Sequence, residues 1–189
     1  MSASLAPGFI IASPPLGDPN FDRTVVLLAL HDDDGALGFV VNRPAPLNLG
    51  ELLAHADYPP PLDDGSPVWL GGPVQPQSGW IIGDDPRLES EGAIRVVGDI
   101  RVSSSREAFD QVAADVRDNA RRLRQLVCVG YSGWGAQQLE GEIARGAWLP
   151  VPFDEGLLFD VPPEERWERA YALLGLNPTQ FVSGTIGEA

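Results

Sequence analysis

Lysine is missing from this 189-residue chain: all thirteen basic residues are arginine, set against 27 acidic ones for a formal net charge of −14. Unspecific nucleic-acid binding needs cations that neutralise phosphates, so this balance argues against it. A single cysteine, Cys128, excludes an internal disulfide framework and a cysteine-based metal cluster. It lies in the apolar run Leu126, Val127, Cys128, Val129, where a thiol packs as a small hydrophobe. Only two histidines are present, His31 and His55, so a Ser-His-Asp arrangement has little to be built from. No apolar run reaches the length of a membrane span, and no basic segment leads into a short apolar one. The expectation is a soluble, cytoplasmic protein with no cofactor and no metal.

What is present is acidic, and aspartate outnumbers glutamate. An acidic surface keeps chains soluble and apart. Adaptation to salt and a G+C-rich genome both account for the missing lysine. The basic residues Arg117, Arg121, Arg122 and Arg124 are interleaved with Asp115 and Asp118, which reads as a solvated helix end.

The length suits one domain, 1–189. Residues 8–12, 24–31 and 36–42 read as apolar strands, the last two joined by Asp32, Asp33, Asp34 and Gly35, a hairpin signal. Both hairpin strands are too uniformly apolar for a solvated face, so the hairpin is expected to be central. Asn48 and Glu51 form a capping box for a short helix. Pro59, Pro60, Pro61, Asp63, Asp64 and Gly65 read as a loop. Residues 68–70, 79–82, 93–97, 100–102 and 123–130 read as further strands. Ser104 with Glu107 suggests a second capping box, opening a helix to about Asn119. A last helix starts at Pro162 and Pro163, carries Trp167, Ala170, Tyr171 and Leu174, and stops at Pro178. Many short strands with three or four helices give an α+β fold with a mostly antiparallel sheet.

Chemistry concentrates in residues 126–148, read as a buried strand, a glycine-rich turn and an amphipathic helix beginning near Gly135. Leu139 and Ile143, with Ala136, make the buried stripe; Gln138, Glu142 and Arg145 share another face. Gly141 inside the helix suggests close packing against it. Such a turn can aim backbone N–H groups at an anion. Gly130, Gly133 and Gly135 do not fit a dinucleotide fingerprint, and Ser132-Gly133-Trp134 does not fit a nucleophile elbow. His31 beside three aspartates reads as a hairpin tip rather than a metal site. Arg23 is expected to pair with Asp18 or Asp22, and Pro44 to hold Arg43 extended. Arg106, in a first helical turn, needs a carboxylate or a bound anion in front of it. The candidate ligand-binding residues are therefore Asn42, Arg43, Arg106, Tyr131, Gly133, Trp134, Gly135 and Gln138.

Several segments, in order, resemble the bacterial YqgE/AlgH family: Asp18 to Val26, His31, Gly35 to Gly38, Val41-Asn42-Arg43-Pro44, Gly71-Gly72-Pro73-Val74, Ser105-Arg106-Glu107, Gly130 to Gly135 with Gln138-Leu139-Glu140, Ala147-Trp148, Leu158-Phe159-Asp160 and Arg166-Trp167. The resemblance implies a bent, branched sheet forming a pseudo-barrel with helices packed outside. It also implies a family without an established activity, named in some bacteria as a transcriptional regulator of alginate synthesis. Gly83, Glu188 and Leu30 stand where the family often carries two histidines and a carboxylate, which weakens any mechanism that uses those groups. The leading expectation is a non-enzymatic binding or regulatory protein with a small anionic ligand or a protein partner. The alternatives are a hydrolase or transferase using Ser132 or Ser105, and, more weakly, a DNA-binding regulator.

Overall fold

The computed structural model describes residues 4–14, 21–60, 62–120 and 124–179. In chain order the strands and helices are β1 (Gly8–Ala12), β2 (Val25–Asp32), β3 (Gly35–Val40), β4 (Pro44–Asn48), α1 (Leu49–His55), β5 (Pro67–Leu70), β6 (Val74–Gly83), β7 (Ile94–Val97) and β8 (Ile100–Ser103). There follow α2 (Arg106–Arg117), β9 (Gln125–Gly135), α3 (Gln138–Ala144), β10 (Trp148–Pro152), α4 (Glu155–Phe159) and α5 (Arg166–Leu173). The chain is α+β, as the alternation of short strands and helices indicated, with five α-helices among the described residues rather than three or four. Two compact units emerge: Met1–Asn42 with Gly133–Ala189, and Arg43–Ser132.

In the first unit the strand order is β10-β1-β2-β3, with β9 beyond β3; residues 133–135 of β9 belong to this unit. The β2–β3 hairpin closes at Asp32 opposite Gly35, where the Asp32 carboxylate accepts the Asp34 N–H at 2.9 Å. β2 lies between β1 and β3, and β3 between β2 and β9, so the hairpin is central as expected; β1 and residues 25–29 of β2 are buried on both faces. One face packs Ile10, Ala12, Val26, Leu28 and Val40 with Trp134, Leu139 and Trp148. α5 begins after a 3-10 turn at Pro163–Glu165 and buries Trp167, Ala170 and Tyr171. It ends earlier than Pro178 suggested. Gly175, at φ +69, lets the Gly175 and Leu176 N–H groups bond back to Ala172 and Tyr171.

In the second unit the order is β4-β5-β9-β6-β8-β7, with β5 and β9 parallel and the other pairs antiparallel. Among the described residues the strand order of neither unit returns on itself to close a barrel. Cys128 is the register partner of both Trp69 and Trp80 and is fully buried, as the apolar run around it indicated. The core joins Leu49, Leu53, Val68, Ile81, Ala108, Val112 and Val127. Asn48 and Glu51 make the expected capping box at α1. At α2 the cap is one residue later than the sequence suggested: Ser105, not Ser104, accepts the Ala108 N–H at 3.1 Å. Arg121, Arg122 and Leu123, the Asp18 partner expected for Arg23, Pro61 and Glu188 lie outside the described residues.

Candidate functional site

The glycine-rich segment is not a turn. β9 runs without interruption through Gly133, Trp134 and Gly135, and α3 starts at Gln138 after Gln137 in a left-handed conformation. The strand survives its glycines because Gly130, at φ +70, absorbs an irregularity in the β6–β9 register. A Cβ there would press on the Gly72 carbonyl oxygen and lie 3.1 Å from that of Val74. Beyond Gly130 the strand alternates, with Gly133 and Gly135 exposed and Trp134 buried. The Gly135 N–H, one of the groups expected to face an anion, already donates to the Gln138 side-chain oxygen at 3.0 Å.

Trp134 and Gln138 meet on a carboxylate. Glu142 accepts the indole N–H of Trp134 at 2.9 Å, that of Trp148 at 2.8 Å and the amide of Gln138 at 3.0 Å. The two indoles cross edge to face at 6.0 Å, and Phe21 meets Trp148 the same way at 5.4 Å. Helical spacing predicted that Gln138 and Glu142 share a face, and they do. Ala136 is exposed and lies before the helix, so it is not part of the stripe; Leu139 is. A Cβ on Gly141 would make only ordinary contact with the Arg145 side chain, so the helix is not closely packed there.

His31 points away from the aspartates that follow it. Its Nε2 lies 3.1 Å from Glu140 Oε1, while Nδ1 accepts the Leu5 N–H at 3.0 Å. That fixes the neutral tautomer with hydrogen on Nε2. Asn42 accepts the Val25 N–H at 2.8 Å and donates to the Arg23 carbonyl at 2.9 Å, tying the end of β3 to the start of β2. Arg23 pairs with Glu168 at 2.9 Å and lies over the Trp167 ring.

The second unit holds Arg43, Arg106, Tyr131 and Ser132. The Arg43 carbonyl accepts the Leu70 N–H at 2.8 Å, which continues the extended chain into β4. Tyr131 meets Trp80 edge to face at 5.9 Å. Ser132 is buried and its hydroxyl donates to the Gly71 carbonyl at 3.1 Å, while the Ser105 hydroxyl caps α2.

Arg106 faces a carboxylate, as a cation in a first helical turn requires. Its Nε donates to Asp110 at 3.2 Å and its guanidinium lies 4.6 Å from the centre of the Tyr58 ring. Tyr58 donates its hydroxyl to the same Asp110 oxygen at 2.7 Å. Burial, then that bond to Asp110, pushes the Tyr58 hydroxyl up to about 12. The side chain of Arg106 remains 66% exposed, so its cation is accessible. Elsewhere in this unit Arg87 joins Asp85 at 2.6 Å and Asp115 at 2.7 Å, carboxylates 7% and 11% exposed.

Of the candidate residues, Asn42, Gly133, Trp134, Gly135 and Gln138 belong to the first unit, and Arg43, Arg106 and Tyr131 to the second. Glu142 and Trp148 were read from the sequence only as a helix-face residue and part of a family segment, not as site residues, and Tyr58 and Asp110 were not named at all. The i,i+4 spacing from Arg106 to Asp110 was the one available signal; Tyr58 lies half the second unit away along the chain.

The sequence model of the AlgH-like family matches residues 9–179. A UPF0301 protein of Anaeromyxobacter dehalogenans (strain 2CP-C) is 42% identical over 194 residues, covering 98% of this chain and 95% of its own. One from Azoarcus sp. (strain BH72) is 40% identical over 178 residues, covering 93% and 92%. The solution structure of the AlgH protein from Pseudomonas aeruginosa superposes with a TM-score of 0.78 at 36% identity, covering 100% of this chain and 99% of that one. A Corynebacterium diphtheriae protein, 19% identical over 87% of this chain and 84% of its own, shares the fold with a TM-score of 0.64. The chain belongs to the AlgH-like family.

Proposed function

We propose that this chain is a non-enzymatic binding or regulatory protein of the cytoplasm that engages a small anionic ligand, or an acidic group on a protein partner, through Arg106. The observation that carries the reading is the mounting of that side chain. Asp110 holds Nε and the Tyr58 ring supports the guanidinium plane, yet two-thirds of the side chain stays exposed. A planar cation held in one orientation suits the forked recognition of carboxylates and phosphates. Its place in the first turn of the twelve-residue helix α2 adds the helix dipole. Arg43 is the second candidate cation of the same unit.

The bonding of the two serines offered for catalysis supports binding over catalysis. Ser132 donates to a carbonyl, Ser105 caps a helix, and the His31 ring is occupied on both nitrogens. The net charge of −14 weighs against the DNA-binding reading.

The test is a melting series with millimolar inorganic phosphate, pyrophosphate and citrate on the wild-type chain and on Arg106→Ala. An anion present at ten times its Kd adds about 1.4 kcal/mol of stability. For a chain of this size that raises Tm by about 3–6 °C. General salting effects raise both proteins alike, so the reading predicts a wild-type increment that Arg106→Ala lacks. Equal responses contradict it. A reaction abolished by Ser132→Ala would restore the enzyme alternative.

A further inference from the structure

The first unit contains a contact that neither the candidate site nor the core requires. Ahead of β1, residues 4–7 form a strap fastened to one residue. The Ser4 hydroxyl donates to the His31 carbonyl at 2.9 Å, and the Leu5 N–H donates to His31 Nδ1 at 3.0 Å. On its other side the imidazole reaches Glu140 at 3.1 Å. Its side chain is 3% exposed, against 25% for Glu140. Leu5 and Ala6 pack against the cluster of Ile10, Val26, Leu28, Trp134 and Trp148.

We propose that His31 is a proton-operated catch for this strap. The two ring nitrogens respond to a proton in opposite ways. Nε2 carries hydrogen toward Glu140 in both the neutral and the cationic ring, and the cation strengthens that pair. Nδ1 can accept the Leu5 N–H only while it has a lone pair. A proton taken from solvent onto Nδ1 leaves two N–H groups facing each other, so the Leu5 bond breaks while the ring stays anchored on α3.

Among the described residues the groups facing the ring are few. Glu140 comes from α3; β3 contributes Ala36 opposite His31, and the strap contributes Ser4 and Leu5, all uncharged. Asp32 follows His31 on β2, but it points to the exposed face and its carboxylate accepts the Asp34 N–H. Histidine is the side chain whose charge ordinarily changes between pH 5 and 8. Loss of that bond loosens the strap at Leu5 over its apolar surface, while the Ser4 bond to the His31 carbonyl remains and β1 itself stays held between β2 and β10.

The experiment is nuclear magnetic resonance on the full 15N-labelled chain from pH 8 to pH 5. Ring nitrogen shifts report the His31 protonation state, and amide exchange, corrected for the intrinsic rate at each pH, reports the Leu5 N–H. The expected result is at least a ten-fold loss of Leu5 protection in step with protonation of Nδ1, while the β1 amides keep theirs. In His31→Gln, whose amide does not titrate, Leu5 protection should not depend on pH. Three results would overturn the proposal: a ring that stays neutral to pH 5, a Leu5 amide unmoved as the ring protonates, or the same loss of protection in His31→Gln. The wild-type measurement decides the question even where the variant does not fold.

Discussion

The two units pair their polar side chains in different ways. In the first, polar side chains mostly end on backbone carbonyls. Arg166 is 5% exposed and bonds the carbonyls of Val41 and Val161. Trp167 and Tyr171 both donate to the Ala12 carbonyl, at 2.9 and 3.2 Å. In the second, arginines meet carboxylates: Arg87 with Asp85 and Asp115, Arg95 and Arg101 with Glu89, Arg106 with Asp110. A donor on a backbone carbonyl fixes where strands end and is indifferent to acid. An ion pair fixes side chains, weakens with salt when exposed, and titrates. Among the described residues the second unit thus holds more of the ion pairs, beside Arg23–Glu168 and His31–Glu140 in the first, and its set includes the proposed contact at Arg106.

Removing the largest backbone anchor should have the largest effect. Arg166→Ala strands two carbonyls and opens a cavity, and is expected to cost about 3 kcal/mol or more. Urea unfolding measures it, and a loss under 1 kcal/mol would show that the carbonyls find other donors. Next is Arg87→Ala, at about 2 kcal/mol, since it leaves Asp85 and Asp115 without their shared cation. Burial alone would raise the Asp85 carboxyl, but the bonds and charge of Arg87 outweigh it and hold the group below the ordinary carboxylate range. A depressed folded value stabilises above the unfolded pKa and is lost as pH falls through the folded one. Acid below about pH 4 should therefore erode the wild type more than Arg87→Ala. Parallel acid profiles would break the contrast between the units.

Glu142→Gln should cost about 1.5 kcal/mol, because a neutral amide oxygen replaces a carboxylate that accepts three N–H groups. Tryptophan fluorescence should shift with it, and a silent spectrum would mean the indoles do not depend on that carboxylate. The smallest effect is Tyr58→Phe, at about 1 kcal/mol near neutral pH, because Asp110 is half exposed and partly screened. Tyr58 and Tyr171 are both pushed up to about 12, Tyr171 by burial and Tyr58 by burial together with Asp110. A raised folded value stabilises below the unfolded pKa and is lost as pH rises through the folded one. Stability should therefore decline between about pH 10 and 12, less steeply in Tyr58→Phe. An unchanged slope would remove Tyr58 from the account.

Local chemistry was legible in the sequence and long-range pairing was not. The capping box of Asn48 and Glu51, the Asp-Gly hairpin, the buried Cys128 and the shared face of Gln138 and Glu142 all depend on residues within four positions of each other. The extension of β9 through Gly135 was misread because glycines signal turns, whereas Gly130 here takes up an irregularity that only the paired β6 reveals. β10 escaped notice because Pro150 and Pro152 interrupt it; the proline nitrogens are tolerated where β1 is its one partner among the described residues. α4, five residues long, is too short to show a period. For the candidate site, Arg106 was legible as a cation out of place, but the Tyr58 ring beneath it was not, since nothing local links the two.

The most direct test of the central claim is a titration of pyrophosphate into the 15N-labelled chain, followed at the backbone amides and at the arginine Nε–H signals. The account predicts saturable shifts at Arg106, at residues 105–110 and at Tyr58 in the second unit, with residues 133–138 of the first unit still. Saturable shifts confined to residues 133–138, or none at Arg106, would contradict it.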